Sequence, residues 1–158
     1  MQQLNVIGLK QKDTEQLAER LNLLLSNYQI FYMNVRGFHW NIKGQQFFEL
    51  HNKFEETYND LLTKIDEIAE RILTLGQRPQ HAYSTYISNS DIQEVKDVHD
   101  GPSCVREILN SYQTTIRLQR EILALAGDAD DEGTSALMSD YIKEQEKTAW
   151  MLTSYLGN

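Results

Sequence analysis

Apolar residues recur at helical spacing along most of this chain. After Gly44 they follow one another at intervals of three or four residues, which places them in one stripe along a helix of 3.6 residues per turn. The members of this stripe are Phe54, Tyr58, Leu61, Ile65, Ile68, Ile72 and Leu75. An earlier stripe consists of Leu17, Leu21, Leu24, Tyr28, Phe31 or Tyr32, Val35 and, at its end, His39. The two stripes predict two long amphipathic helices, the first from about Thr14 to Trp40.

Signals for helix ends complete a set of four long helices. Asp13 is the predicted N-cap of the first helix, since a short acidic side chain can accept a hydrogen bond from the first turn. A third helix is predicted to begin near Pro102, after a cap at Asp100, and to end at Gly127. The fourth begins in the acidic run DADDEG, residues 128–133. No alternating strand pattern competes with this all-α prediction.

The connections between the helices predict how they are arranged. A short hinge at residues 41–44 implies that the second helix runs antiparallel to the first. The connection between the second and third helices covers residues 76–101, which is far too long for a hairpin in a compact domain. A crossover along the length of the bundle explains it and makes those two helices parallel. Residues 90–98 (SDIQEVKDV) could form a short helix within this crossover.

The second helix has another face, about 100° away from its apolar stripe, that mixes leucines with potential metal ligands. This face consists of His51, Glu55, Leu62, Asp66, Ala69, Glu70 and Leu73. It is too apolar to face water comfortably and too charged for an ordinary core. A binding surface is therefore the favoured interpretation.

Distance decides how such a face could bind a metal ion. His51 and Asp66 are 15 positions apart, or about 22 Å along a straight helix, whereas a bond between a metal and its ligand is about 2 Å long. These two residues of one helix therefore cannot hold the same ion. A second copy of the helix, antiparallel across a two-fold axis, would place its Asp66 and Glu70 opposite His51 of the first, and two equivalent sites would form.

Each of these residues also has a purely structural interpretation. His39 could be a core histidine with a satisfied hydrogen bond. The two i,i+4 pairs on the second face could be ordinary solvated neighbours. Asp66 and Glu70 repel each other at that spacing, although Lys64 or Arg71 could soften the repulsion. Spacing alone leaves both interpretations open.

Three segments carry a family resemblance: FHWNIKG at residues 38–44, FFELHNKFEETY at 47–58 and KIDEIAERILTLGQRP at 64–79. In residue type and spacing they closely resemble the Dps proteins, the mini-ferritins named as DNA-binding proteins from starved cells. The resemblance implies an all-α, ferritin-like four-helix bundle with one long crossover between helices 2 and 3. It also implies a hollow homododecamer with iron-oxidising sites between two-fold-related subunits.

The same resemblance implies the ligand set and the reaction. The ligands would be His39 of the first segment, His51 and Glu55 of the second, and Asp66 and Glu70 of the third. Imidazole and carboxylate suit Fe(II), and a sparse ligand set leaves coordination positions for an oxidant. The expected activity is that of a ferroxidase. Fe(II) would be oxidised by hydrogen peroxide or dioxygen and Fe(III) stored as mineral, which protects the cell against oxidative stress.

Other polar and aromatic residues have weaker signals. Trp40 follows His39 directly; in the family this tryptophan lies near the iron and intercepts one-electron oxidants, while the simpler interpretation is an aromatic ring that fills an interface. The acids of residues 128–132 could favour a helix N-terminus or line an acidic pore of the cage. His81 and His99 show no ligand spacing and are assigned no role. The chain lacks the Glu-x-x-His motif of larger ferritins, which predicts a plain apolar bundle interior.

Composition limits the class of protein further. Residues 1–158 are predicted to form a single domain, and no apolar run approaches the roughly 20 residues needed to span a membrane. The N-terminal sequence lacks the pattern of a signal peptide. Cys104 is the single cysteine and is expected to be a buried, inert thiol. These features predict a cytoplasmic protein.

Charge bears on the DNA binding that the family name suggests. The net charge is −8, whereas binding to phosphate needs clustered lysine and arginine. The first 13 residues contain only Lys10 and Lys12, and the chain ends in SYLGN, without a positive charge. DNA binding is therefore doubtful. A nucleoid protein that coats DNA is the main alternative, and a bundle with a purely structural role is a third.

Overall fold

The structure of the protein is a computed structural model that describes residues 3–158. Five helices occupy most of this range: α1 (Gln11–Asn41), α2 (Phe47–Thr74), α3 (Tyr83–Asn89), α4 (Gly101–Asp128) and α5 (Glu132–Tyr155). The fold is all-α, a four-helix bundle to which the short α3 is added. Across the described range, no helix is sufficiently long and apolar to cross a membrane.

Side-chain contacts along α1 establish the direction of its neighbours. From the start of α1 to its end, the contacting pairs are Arg20 with Glu121, Tyr28 with Gln119, Phe31 with Tyr112, Tyr32 with Tyr58, and Phe38 with Phe54. Because the partner numbers fall along both α4 and α2 as α1 advances, α1 runs antiparallel to both helices. Helices α2 and α4 are consequently parallel. The prediction of one long crossover between them is confirmed.

Helix α5 completes the bundle and runs antiparallel to α2. In order along α2, the contacts are Lys64 with Glu144, Glu67 with Tyr141, and Arg71 with Asp131. The two predicted apolar stripes meet in the core, where their members are buried except for Tyr32, Tyr58 and Ile65, which are half-buried. Helical periodicity therefore identified the inward faces of α1 and α2 correctly.

The predicted helix ends are partly right. Asp100 caps α4 as expected, since its carboxylate accepts a hydrogen bond from a backbone amide of the first turn. Helix α5 begins within the acidic run, and Asp131 caps it in the same way. Helix α4 continues one residue beyond the predicted end at Gly127.

The predicted cap at Asp13 is wrong. Helix α1 begins at Gln11, and the side chain of Lys10 at the cap position makes no capping hydrogen bond within the described residues. The preceding turn supplies the missing acceptor instead, because the Gln3 carbonyl accepts a 3.0 Å hydrogen bond from the Gln11 amide. Asp13 lies within the first turn, where its charge still complements the helix dipole.

The short helix of the crossover lies before the segment for which it was predicted. Residues 83–89 form α3, whereas residues 90–98 are not helical. Backbone amides of the later segment donate to side chains of α1 instead of to one another. Asn27 Oδ1 accepts 3.0 Å hydrogen bonds from two successive amides, Asp91 and Ile92, and Asn34 Oδ1 accepts one from Val95.

A third asparagine of α1 holds the crossover in the same manner. Asn22 donates to the Arg78 carbonyl at 3.1 Å and accepts from the Gln80 amide at 2.8 Å. Asn34 likewise donates to the Gln93 carbonyl at 2.9 Å. Three asparagine side chains therefore supply the crossover with backbone partners that secondary structure would otherwise provide.

The bundle interior contains a polar cluster, so the prediction of a plain apolar interior is wrong. The Tyr28 hydroxyl donates to Gln119 Oε1, Gln119 Nε2 donates to Gln145 Oε1, and Gln145 Nε2 donates back to the Tyr28 oxygen. Thr115 adds a 2.8 Å bond to Gln145. All four side chains are at most 2% exposed. Tyr28, Gln119 and Gln145 form a closed ring of hydrogen bonds, to which Thr115 is attached, and we call this cluster the interior ring.

Candidate metal centre

His39 and His51 form the most ordered part of the candidate site. Their rings stack with centroids 3.8 Å apart and an angle of 14° between the planes. The Nδ1 atom of each histidine lies 2.7 Å from the backbone oxygen of the other. The two residues therefore link the last turn of α1 to the first turns of α2.

The hinge between these helices makes the pairing possible. Gly44 and Gln46 adopt positive φ angles of 94° and 61°, which reverse the chain within a few residues. The Lys43 amide donates to the His99 carbonyl at 2.9 Å rather than continuing α1. The His39 carbonyl thus belongs to the unpaired end of a helix and is free to accept the hydrogen bond from His51.

These hydrogen bonds determine which ring nitrogens can bind a metal. A backbone carbonyl only accepts hydrogen bonds, so Nδ1 of each histidine must carry the proton. In a neutral imidazole the other nitrogen, Nε2, then has a free lone pair. Histidines oriented in this way by a carbonyl are typical metal ligands. The pair is therefore prepared to bind a cation through Nε2 of His39 and of His51.

Aromatic rings fix the histidines from both sides. The Phe47 ring stacks on His51 with centroids 5.1 Å apart, and Tyr58 meets His39 edge-on at 5.3 Å. His39 is buried and His51 half-buried, while Glu55 lies exposed one turn further along α2. Two imidazoles fixed by hydrogen bonds, with one exposed carboxylate beside them, form an incomplete ligand set.

Asp66 and Glu70 lie further along α2, and both are exposed. A side-chain hydrogen bond with Asp66, together with the charge of that neighbour, raises the pKa of Glu70. Neither of the nearby basic residues relieves this repulsion. Lys64 is buried between Asp60 and Glu144, at 2.7 and 2.8 Å. The acid pair therefore lacks a cation within its own subunit's described residues.

Arg71 is likewise directed away from the acid pair. Its guanidinium binds Asp131 Oδ1 at 2.6 Å and Thr134 Oγ1 at 2.9 Å. Gly133 allows this approach, because a Cβ there would lie 2.6 Å from the Arg71 guanidinium. Asp131, only 2% exposed, thus serves as a helix cap and ion-pair partner.

The structure does not bring the two halves of the predicted ligand set together in one subunit. Within residues 3–158 no three histidine, cysteine, aspartate or glutamate side chains cluster closely enough to hold a metal ion. The exposed side chains of Leu62 and Leu73, 48% and 56% accessible, lie on the same face of α2 as the acid pair. The single subunit therefore presents two partial sites on a partly apolar surface.

Comparison with known proteins agrees with this architecture. The Ferritin-like domain model matches residues 18–158. A DNA protection during starvation protein from Porphyromonas gingivalis is 40% identical over 152 residues, which cover 96% of both chains. The chain belongs to the Dps family.

Solved structures of Dps proteins support the same assignment. The crystal structure of a Dps protein from Vibrio cholerae O1, described as a member of a broad superfamily of ferritin-like diiron-carboxylate proteins, is 56% identical. It superposes with a TM-score of 0.95 over 97% of this chain and 96% of that one. A Dps protein from Bacillus brevis is 30% identical with a TM-score of 0.88, over 92% and 97% of the two chains.

Other residues considered in the sequence of this Dps-family chain fall outside the centre. Burial raises the pKa of the Cys104 thiol to about 12, consistent with an inert thiol. His81 and His99 are exposed in the crossover. Trp40 is 59% exposed and lies under the guanidinium of Arg36, whose Cζ is 4.9 Å from the indole centroid. Sequence reasoning passed over Arg36, although its i,i+4 spacing to Trp40 was an available signal.

Proposed function

We propose that this protein is a ferroxidase that oxidises Fe(II) at sites shared between two subunits and stores Fe(III) as mineral inside a dodecameric cage. The reciprocal pair of His39 and His51 carries the proposal, because it leaves both Nε2 atoms available as ligands. Membership of a family related to diiron-carboxylate proteins supports iron as the substrate metal.

The proposed ligands have complementary roles. His39 and His51 supply neutral nitrogen donors, Glu55 supplies a carboxylate beside them, and Asp66 and Glu70 of a second copy supply the remaining negative charge. Imidazole and carboxylate together suit Fe(II). The carboxylates also favour the more highly charged Fe(III) product electrostatically. This ligand set keeps coordination positions open for the oxidant.

The chemistry balances with hydrogen peroxide as the oxidant. Each Fe(II) loses one electron, and one peroxide takes up two electrons and two protons while its O–O bond breaks, which yields two water molecules. No hydroxyl radical is released when both electrons are delivered at one site. Dioxygen could serve as a slower oxidant. Removal of Fe(II) and peroxide together would protect the cell against oxidative stress.

The face of α2 supports a site shared between subunits. Asp66 and Glu70 repel each other without a cation, and their nearest basic neighbours are engaged elsewhere. An antiparallel second copy would deliver these acids to His51 and would also cover Leu62 and Leu73. We accordingly propose that the two-fold interface of a homo-oligomer buries this face, with residues 1–158 acting as one domain.

DNA protection through iron removal fits this chain better than DNA coating. A relative is named as a DNA protection protein, and this name supports a nucleoid protein as the second candidate. The net charge of −8 and the two lysines among the first 13 residues give few contacts to phosphate. We place the protein in the cytoplasm, where Fe(II) is available and the Cys104 thiol stays reduced.

Consumption of peroxide that depends on Fe(II) tests the proposal. Purified protein should consume one peroxide for every two Fe(II) ions, faster than the same solution without protein. The variant His39→Ala/His51→Ala is the matched control, with helical content checked by circular dichroism. If the folded control oxidises Fe(II) as fast as the parent protein, the assignment of the site is wrong.

A further inference from the structure

Arg36 lies in α1 one turn before His39, in a cage of aromatic rings. Its Cζ atom is 4.9 Å from the centroid of Trp40, 5.6 Å from that of Tyr58 and 5.8 Å from that of Tyr32. One Nη donates a 2.8 Å hydrogen bond to the Tyr32 hydroxyl. The rings hold the guanidinium by cation–π attraction, which falls off steeply with distance and so fixes its position.

The aromatic rings around Arg36 leave one N–H group of the guanidinium without a hydrogen-bond acceptor among the described residues. The Nε atom of Arg36 is buried and has no hydrogen-bond partner among residues 3–158. Arg36 makes no ion pair with any residue in that range, a property it shares with Arg78 and Arg106, whereas the other four arginines are paired. Aromatic faces attract the charge but offer no strong acceptor for an N–H group. The fold therefore fixes the position of a permanently charged side chain that has no carboxylate partner among residues 3–158.

This cation lies beside the proposed iron site. Tyr58, which contacts Arg36, also contacts the His39 ring at 5.3 Å. A positive charge so close to the histidines would weaken binding of Fe(II) unless an anion compensates it. Glu55 of α2 makes no ion pair with Arg36 among residues 3–158, and the Asp66–Glu70 pair of the same subunit lies too far away. Asp66 is about 12 Å and Glu70 about 18 Å beyond Tyr58 along α2, at 1.5 Å per residue.

Two unmatched groups of opposite sign are thus present on one subunit and out of reach of each other. Among residues 3–158, Arg36 makes no ion pair with a carboxylate, and the Asp66–Glu70 pair makes none with a basic side chain, because the neighbouring lysine and arginine bind other acids. In the two-fold arrangement of the proposed function, the acid pair of a second copy lies opposite His51, next to Arg36. Each two-fold contact would then contain this pairing of Arg36 with the acid pair twice, once in each direction between the two copies.

We propose that Arg36 is the counter-ion of the second copy's Asp66 and Glu70 when the shared site holds no Fe(II), and that it competes with Fe(II) for these carboxylates. This inference rests on the proposed function. Arginine remains charged throughout the physiological pH range, so the competition persists at every working pH. Without metal, Arg36 stabilises the contact between subunits. When Fe(II) binds, the carboxylates turn from the guanidinium to the ion.

Metal affinity without redox chemistry tests this competition. Zn(II) is a suitable probe because it binds imidazole and carboxylate and is not oxidised. Calorimetric titration of the metal-free oligomer with Zn(II) should show roughly three- to tenfold tighter binding in Arg36→Gln, as expected for loss of one partly exposed ionic competitor. The matched control Arg36→Lys keeps the charge and should stay close to the parent protein.

The stability of the metal-free oligomer gives an independent measurement. Arg36→Gln should dissociate into smaller species at a lower urea concentration than the parent, and saturating Zn(II) should reduce this difference. Unchanged or weaker Zn(II) binding in Arg36→Gln would overturn the inference. If Arg36→Gln does not assemble, Arg36→Lys is the deciding variant. Lysine lacks the guanidinium but keeps the positive charge. A Zn(II) affinity that differs from that of the parent protein by tenfold or more would therefore contradict a competition through charge.

A second background separates failure of this inference from failure of the proposed function. In Asp66→Asn/Glu70→Gln the effect of Arg36→Gln on Zn(II) affinity should disappear, because the carboxylates for which it competes are gone. If removal of the acids leaves Zn(II) binding unchanged, the shared site itself is wrong. If removal of the acids abolishes binding but Arg36→Gln has no effect, only the role of Arg36 is wrong.

Discussion

The interior ring and the outer face of α2 both contain several polar side chains, but they differ in how those groups are satisfied. In the ring, Tyr28, Gln119 and Gln145 each donate a hydrogen bond to the next member, and Gln145 accepts a second bond from Thr115, so the cluster is neutral and closed. On the outer face of α2, His51 offers a lone pair beside that of His39 from α1, and the Asp66–Glu70 pair offers carboxylate oxygens. The first cluster needs no further partner, and the second needs a cation.

This difference shows where metal chemistry is possible in the molecule. Ferritin-like diiron proteins can place Glu and Glu-x-x-His ligands in the middle of the bundle. Here amides and a phenol occupy the middle, and each is already hydrogen-bonded. A cation there would have to break a cooperative ring without gaining a charged ligand. The proposed ligands lie instead where α1 meets α2 and along the exposed face of α2, where a second subunit would complete them.

The largest expected effect comes from separating the two halves of the surface site. His39→Ala/His51→Ala and Asp66→Ala/Glu70→Ala should each lower peroxide consumption by ~100-fold or more, because each removes ligands from every site. In a mixed pair of subunits, one interface site regains all its ligands, and the other keeps only Glu55. Activity should then return at up to about half the sites of each mixed pair.

Co-assembly after dissociation, followed by the Fe(II)-dependent peroxide assay, measures this recovery. Native mass spectrometry of differently tagged subunits verifies mixing. A lack of recovery in verified mixed oligomers would argue that each subunit holds its own site. Such a site would need a bent α2 or different ligands.

The interior ring should affect stability and leave oxidation unchanged. Tyr28→Phe removes one donor and one acceptor, which leaves Gln119 and Gln145 partly unsatisfied at a cost of about 1–3 kcal/mol. Urea unfolding at a fixed protein concentration measures the loss. Tyr86→Phe is the matched control, since that hydroxyl makes a single hydrogen bond to the partly exposed Gln80 carbonyl. A folded Tyr28→Phe protein without ferroxidase activity would contradict the separation of the two regions.

Alkaline pH should destabilise the fold, in part through the interior ring. Burial raises the pKa of Tyr28 well above its ordinary value near 10. The folded state therefore holds the phenolic proton more tightly than the unfolded state. The resulting stability is complete below about pH 10 and is lost as pH rises toward the raised pKa. Stability of Tyr28→Phe, measured from pH 8 to 11, should fall less steeply than that of the parent protein.

The smallest expected effect concerns DNA. With a net charge of −8, the protein should shift duplex DNA weakly or not at all at physiological salt. Gel-shift titrations at low and physiological ionic strength measure this. Tight, salt-resistant binding would favour the nucleoid alternative. Binding that requires added divalent metal would remain compatible with an acidic surface bridged by the ion.

Periodicity and short motifs predicted the parts of the fold that depend on neighbours in sequence. The stripes of α1 and α2, the cap at Asp100, the start of α5 in the acidic run and the long crossover followed from local spacing. The His39–His51 pair was predicted as part of a ligand set, but its reciprocal hydrogen bonds were not. Those bonds depend on the hinge geometry, which the spacing of residue types does not encode.

Long-range polar contacts could not be predicted in the same way. Gln145 meets Tyr28 across 117 positions, and no local pattern distinguishes such a glutamine from a solvated one. The prediction of a short helix at residues 90–98 was wrong for a similar reason. Residues 90–98 have helical propensity, but several of their backbone amides donate hydrogen bonds to the side chains of Asn27 and Asn34 of α1 instead. Tertiary partners thus override local preference.

The asparagines of α1 also determine how the crossover opens to solvent. A backbone amide exchanges its hydrogen only when the bond that holds it breaks. For the amides bound by Asn22, Asn27 and Asn34, that bond ends on a side chain of α1. Their exchange rates will therefore report separation of the crossover from α1 and not the fraying of a free loop. In hydrogen-exchange terms, this part of the crossover is expected to open together with its separation from α1, although 58 to 65 positions of chain lie between the bonded residues.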